Sequence, residues 1–244
     1  MISRALASGS RIGVDDLAKL TGVAPVTIRR DLIELEALGA VRRVHGGAVR
    51  TAKRGEPMPF AARFAEDQAQ KLRLAAVAAA QVSDYESVII DNGTTCFAVA
   101  TELVGRPLTV LALSLHAASV LAATTGPQVI VPGGPVESDS LACLSSTAVD
   151  AVREFRADVA LLGACSAAAG TGLTSTSHHD AAIKKAIIAA SSRRILVSAS
   201  DKLTRTSSFR FGTPEQLTTL ITDSGAPQEV LELFRVHGVD VHIA

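Results

Sequence analysis

The feature that most narrows what this chain can fold into is a series of short runs rich in Val, Ile and Leu. They lie at 88–91, 108–113, 129–131, 159–162, 195–198, 220–222 and 239–242. Helices are expected between most of them, at 95–103, 116–123, 147–155, 180–190 and 228–237, after an entering Ala- and Leu-rich helix at 67–82. Strands separated by helices do not close as tight hairpins, and near-continuous apolar runs mark strands covered on both faces. The pattern therefore predicts an α/β domain with a mostly parallel sheet. Its core must be aliphatic, because aromatic residues make up only 3% of the chain while hydrophobic residues make up 48%. That apolar content also excludes a disordered chain.

Residues 1–54 have a different character. They carry 10 Lys and Arg against 5 Asp and Glu, whereas 55–244 carry 14 against 19, so a basic head precedes an acidic body. Such asymmetry fits a nucleic-acid-binding module joined to a part that need not touch nucleic acid. Leu17, Ala18 and Leu20 give a first short helix its apolar stripe, with Asp15 and Asp16 in the first turn, where the helix dipole favours negative charge. Gly22 is suited to end it in a left-handed conformation, and Pro25 to open the next helix. There Ile28, Leu32 and Leu35 recur at i, i+4 and i+7 and share a buried face. Arg30 then points away from the core, flanked by Val26, Thr27, Ile33 and Glu34, with Arg29 to one side. Val26, Thr27, Arg29 and Arg30 are thus candidates for base-edge and phosphate contacts, arginine fitting guanine O6 and N7. After Gly39, Val41, Arg43 and His45 alternate with Arg42 and Val44; Gly46-Gly47 can turn, and Ala48-Val49-Arg50 can return. A basic hairpin directly after such a helix reads as a wing, with Arg42, Arg43 and His45 along the sugar-phosphate backbone or the minor groove.

In parallel sheets ligands sit beyond the carboxyl ends of the strands. Four loops fall there: Asp91-Asn92-Gly93-Thr94-Thr95, Ser114, Pro132-Gly133-Gly134-Pro135 and Gly163-Ala164-Cys165-Ser166. Glycine allows close backbone approach, and threonine hydroxyls with the free N–H groups of a helix start can hold an anion such as phosphate. Lys184, on the helix after 170–180, is suited to supply a cation. The candidate small-anion site is therefore Asp91, Gly93, Thr94, Thr95, Ser114, Gly133, Gly134 and Lys184.

The run Ala24-Pro25-Val26-Thr27-Ile28-Arg29-Arg30-Asp31-Leu32 is followed by Leu35, Leu38-Gly39 and Arg42-Arg43-Val44-His45-Gly46-Gly47-Ala48. Together these resemble the N-terminal signature of the DeoR family of bacterial regulators. The resemblance continues through Asp91, Gly93-Thr94-Thr95, Ser114, Gly133-Gly134, Ala157-Asp158, Gly163-Ala164, Gly172-Leu173-Thr174, Lys184 and Asp201-Lys202, and so covers nearly the whole chain. It implies a winged helix-turn-helix at 1–52 and an α/β effector-sensing and oligomerisation domain at 67–244, similar in fold to ribose-5-phosphate isomerase. Between them 53–66, polar at its start and interrupted by Pro57 and Pro59, reads as a linker. The implied function is a transcriptional regulator, chiefly a repressor, that binds double-stranded operator DNA as a homo-oligomer (dimer or tetramer). A phosphorylated sugar or related metabolite would release it. The module's first helix, roughly 2–8, is short, as expected of a chain whose start lies downstream of the natural one.

The chain departs from the family pattern at Ala24, where a capping Ser is usual, a loss of about 1 kcal/mol partly offset by Pro25. It also departs in the pocket, at Leu113, Cys143 and Cys165-Ser166, where Asn, Gly and Asp-Gly are usual. Two alternatives stand beside the main reading: a constitutive repressor with a degenerate pocket, and an isomerase-like enzyme with a DNA-binding head. An isomerase needs a carboxylate to move a proton between adjacent carbons, and the fourth loop offers Cys165 and Ser166 instead. No catalytic residue, metal or cofactor is expected. Nothing pairs Cys165 with a His; His178-His179 are adjacent and read as loop residues; Lys184-Lys185 and Arg193-Arg194 read as solvated helix ends. Cys96, Cys143 and Cys165 lie far apart with no CxxC, which suits a reducing compartment. No apolar stretch of about 18 residues suggests a membrane span. Arg4 and Arg11 interrupt any signal peptide, so a soluble cytoplasmic protein is expected.

Overall fold

A computed structural model of the protein describes residues 12–37, 41–44, 46–50, 58–168 and 170–244. The chain forms two compact units, Met1–Gln68 and Ala69–Ala244.

In the first unit α1 (Val14–Thr21) ends at Gly22, whose φ of 70° is left-handed and whose N–H bonds back to the Ala18 carbonyl. The second helix, α2 (Pro25–Ala37), starts on the Ala24 carbonyl, which accepts from the N–H groups of Thr27 (2.9 Å) and Ile28 (3.1 Å). A three-stranded antiparallel sheet follows in the order β1 (Ile12–Gly13), β3 (Gly47–Arg50), β2 (Val41–Val44). Gly47 is required there, because a Cβ at this position would lie 2.2 Å from the Ile12 carbonyl oxygen. Val14, Leu17, Ile28, Leu32, Val41 and Ala48 close one small core, joined by Met58 and by Ala62 of α3 (Phe60–Ala65). Part of the stretch assigned to a linker is thus packed into the first unit. Residues 51–57 lie outside the described residues.

The second unit is built on a seven-stranded sheet in the order β13 (Asp240–Ile243), β12 (Thr219–Thr222), β10 (Ser191–Val197), β7 (Ala157–Leu162), β4 (Ser87–Ile90), β5 (Thr109–Ala112), β6 (Gln128–Ile130). Every neighbouring pair is parallel. The period of two divides each apolar run between faces. Val88, Ile90, Val110, Ala112, Val159, Leu161, Ile195, Val197 and Ile221 pack with α4 (Gln68–Ala79), α5 (Thr94–Glu102) and α6 (Leu115–Ala122). Ile89, Leu111, Ala160, Leu162, Leu196 and Leu220 pack with α7 (Ser146–Glu154), α8 (His178–Ala190) and α9 (Gln228–Val236). The small side chains on α4, α5 and α8 let these helices lie close on a sheet with few aromatics.

Three features differ from the sequence reading. A second, antiparallel sheet of β11 (Phe209–Gly212), β9 (Gly172–Ser175) and β8 (Ser166–Ala168) was not anticipated, because Ser, Gly and Ala dominate β8 and β9 and a register shift breaks β11 after Arg210. His178 and His179 open α8 rather than lying in a loop, with the Ser177 hydroxyl accepting from the Asp180 N–H. Arg193 and Arg194 belong to β10 rather than a solvated helix end. Arg193 is fixed bidentately to Glu86 at 2.6 and 2.7 Å and donates to the Gln81 carbonyl at 2.6 Å. Among the described residues no helix is long and apolar enough to cross a membrane.

Candidate functional site

Two places gather functional groups, one in each unit. In the first unit Ile28 and Leu32 are fully buried under α2, so the opposite face is presented outward. Val26 is 71% exposed and the Arg30 side chain 73%, while Arg29 is exposed and Thr27 half-buried. These lie in the first half of α2, the half that reaches base edges when such a helix enters a major groove. On the wing, Arg43 is exposed. Arg42 lies in β2, but its side chain is outside the described residues, as is His45 altogether. The sequence reading missed Glu36, near the end of α2, whose carboxylate accepts from the Arg43 backbone N–H at 2.7 Å and lies 3.9 Å from its guanidinium.

In the second unit the strand order reverses direction between β4 and β7: the chain runs outward from β4 through β5 to β6, then returns to β7 on the other side. Such a switch point opens a crevice at the carboxyl ends of the strands. Asp91 stands there directly after β4, fully buried, with the Gly163 N–H after β7 donating to its Oδ2 at 2.9 Å. Lys184 reaches the same Oδ2 from α8 and lies 3.5 Å from Asp180, one helical turn before it. Asn92 Nδ2 donates to Asp180 Oδ1 at 2.7 Å and Asp91 Oδ1 at 3.1 Å, and the Ser175 hydroxyl donates to Asp180 Oδ2 at 2.6 Å. Lys184 Nζ also sits 5.6 Å over the Phe211 ring. The result is one ammonium between two carboxylates, closed from water.

Burial pushes the Asp91 carboxyl above the ordinary carboxylate value, against the pull of Lys184 and with a contribution from Asp180. For Lys184, burial opposes the charge, but Asp180 and Asp91 outweigh it, so the ammonium is held more tightly than in a free lysine. Lys184 is therefore not the open cation that its position in the sequence suggested. Asp180 went unnoticed although its i,i+4 spacing to Lys184 was a visible signal.

Around this cluster the other expected residues divide. Gly93 takes φ 103° and starts α5 with no side-chain cap for its first-turn N–H groups, beside the buried Thr94 and Thr95. The Ser114 hydroxyl is buried and accepts from the His116 N–H at the start of α6. Gly133 and Gly134 have left-handed φ of 75° and 81° but are exposed, and Gly134 packs instead against Ser145 and Thr147 at the start of α7. Cys96 is buried behind Asp91, and burial raises its thiol far from reactivity. Cys165, half-buried, lies 3.9 Å from the hydroxyls of Ser175 and Thr176.

Residues 1–54 match the DeoR-like helix-turn-helix domain family, and residues 66–224 match the DeoR C terminal sensor domain family. The chain belongs to the DeoR family. It is 33% identical to the transcriptional repressor AccR of Agrobacterium fabrum over 205 residues, 83% of this chain and 80% of that one. It is 27% identical to the HTH-type transcriptional repressor GlcR of Bacillus subtilis, covering 95% and 90% of the two chains. To the glycerol-3-phosphate regulon repressor of Escherichia coli it is 28% identical, covering 95% and 92%. Ribose 5-phosphate isomerase A of Methanocaldococcus jannaschii aligns with a TM-score of 0.42 and 16% identity over 57% of this chain and 55% of that one. Against the DeoR pattern, two departures of this chain fall together. Leu113 and Cys143 are fully buried in one apolar cluster, and the Cys143 N–H donates to the Leu113 carbonyl at 2.9 Å. They extend the core rather than line an open polar surface.

Proposed function

We propose that this DeoR-family chain is a sequence-specific DNA-binding repressor, acting as a homo-oligomer in the cytoplasm, and that a small phosphorylated metabolite taken up by its second unit releases it from operator DNA. The observation that carries the DNA-binding half is the split of α2: Ile28 and Leu32 fully buried, Val26 and Arg30 exposed in its first half. Arg43 on the following hairpin supports a backbone contact beside it. The test is selection of binding sites from random duplex DNA. Two related half-sites about one helical turn apart are expected, and the absence of any consensus would overturn the reading.

For the metabolite, the neutralisation of Lys184 moves the phosphate elsewhere. The uncapped start of α5 at the switch point, with the hydroxyls of Thr94 and Thr95, is the better anion holder. Release requires that the metabolite bind the DNA-incompetent arrangement more tightly than the competent one. Sugar phosphates should raise the melting temperature of the protein and lower its operator affinity. Silence across a broad panel would favour a constitutive repressor instead.

One observation favours a second reading. The carboxylate that sugar-phosphate isomerisation needs, and that Cys165 and Ser166 do not provide, is present as Asp180 beside Asp91. Both carboxylates are tied to Lys184 and buried, which supports a ligand-ordering role over proton transfer. Incubation with ribose 5-phosphate should give no turnover, and measurable isomerisation would reverse this ranking.

A further inference from the structure

The wing sheet runs in the order β1-β3-β2, so among the described residues β2 is an edge strand, and alternate N–H groups along it point away from β3. One of these is the N–H of Arg43, and it is taken by the Glu36 carboxylate of α2 at 2.7 Å. The same carboxylate lies 3.9 Å from the Arg43 guanidinium. Elementary electrostatics argues against a carboxylate here. Glu36 stands in the last turn of α2, where the helix dipole disfavours negative charge. It also belongs to a basic unit that would approach phosphates, which it would repel. A residue unfavourable on both counts, and hydrogen-bonded to the backbone of the next element, points to a mechanical role.

We infer that Glu36 is the positioning residue that latches the wing to the recognition helix, setting where Arg43 meets the DNA backbone when Arg30 is in the groove. The inference rests on the DNA-binding reading above. The bond fixes β2 against the end of α2 through the main chain, so the wing's cation keeps a constant offset from the helix's first turn. The 3.9 Å guanidinium contact is exposed and weak. Arg43 can therefore leave Glu36 for a phosphate while its own N–H stays bound.

The test compares neutral replacements in the full chain. Glu36→Gln keeps an acceptor of the same reach and Glu36→Ala removes it, while both remove the charge; each is also made with Arg43→Ala. Dissociation constants are measured on the selected operator and on an unrelated duplex across a salt series. Glu36→Gln should bind both duplexes at least as tightly as the parent. Glu36→Ala should bind about tenfold more weakly than Glu36→Gln, with a salt slope shallower by about one phosphate contact. With Arg43→Ala present, that gap should close. Equal affinity of Glu36→Ala and Glu36→Gln, or a gap that survives Arg43→Ala, would overturn the latch. Should Glu36→Ala fail to fold, amide hydrogen exchange decides: the Arg43 amide should be protected in the parent and in Glu36→Gln, and exposed in the shorter Glu36→Asp. An unprotected Arg43 amide in the parent would end the proposal. A parent that binds no DNA would instead sink the repressor reading, while the exchange measurement still scores the latch.

Discussion

Replacing Lys184 with Met removes the one cation from a site holding two carboxylates, with Asp91 0%, Lys184 2% and Asp180 6% exposed. At the 3.5 Å separation of Lys184 and Asp180, an effective dielectric of about 20 gives roughly 5 kcal/mol of attraction, and the Asp91 contact adds a term of similar size. Against that, the variant no longer has to dehydrate an ammonium, which offsets several kcal/mol. The net loss expected is about 3–5 kcal/mol, the range for removing one member of a buried ion pair. Set against a typical total of about 5–15 kcal/mol, this is a large fraction of the unit's stability. Urea unfolding should be followed by far-ultraviolet circular dichroism, since the chain has no Trp and a single Tyr. The midpoint should fall with little change in slope. The deficit should be smaller at about pH 5 than at about pH 8, because the stranded carboxylates can then take up protons. Lys184→Met with Asp180→Asn should recover part of the loss by removing the like-charge contact. A single variant within about 1 kcal/mol of the parent, with no dependence on pH, would refute the reasoning, since it would mean that the cluster is not charged as drawn.

Arg30→Ala should cost about 1–3 kcal/mol on the selected operator and relax preference at one base pair, whereas Arg43→Ala should weaken all duplexes alike and lower the salt slope by about one. Titrations in which both variants match the parent would remove α2 from the recognition role. Gly47→Ala puts a Cβ 2.2 Å from the Ile12 carbonyl; about 1–3 kcal/mol of overpacking should lower the melting of the first unit and its DNA affinity, while sugar-phosphate binding by the second is retained. A variant melting like the parent would show that the β1–β3 pairing is dispensable. For pH, the raised Asp91 makes the folded state bind a proton more tightly than the unfolded chain, so stability should fall as pH rises from the ordinary 3.8 toward the higher folded value. Asp91→Asn should flatten that slope, and an unchanged stability–pH curve would contradict it. Lys184, also raised, has the same sign at the alkaline end, its stabilisation being complete below the ordinary 10.5 and lost as pH climbs through the higher folded value, a fall that Lys184→Met should lack.

What could be read in the chain beforehand divides along the range of the interactions involved. Periodicity is local, so the seven parallel strands, the helices between them and the buried Ile28–Leu32 face of α2 were all legible. The β8–β9–β11 sheet was not, because its strands are short and Leu173 is the one large apolar residue in β8 and β9, too few for an alternating pattern. The site shows the same boundary more sharply. That Asp91 and Gly93 follow a strand at the carboxyl edge of the sheet can be read from the run before them, and the strand order puts that edge at the β4–β7 switch point. The charge available at that edge does not follow, because Asp91 and Lys184 are 93 residues apart and meet only through the strand order. Local sequence offers Lys184 with Asp180 one helical turn before it, while topology adds the second carboxylate, Asp91. The effector chemistry we propose for this chain therefore turns on backbone N–H groups and hydroxyls at α5, which no count of its basic residues could have indicated.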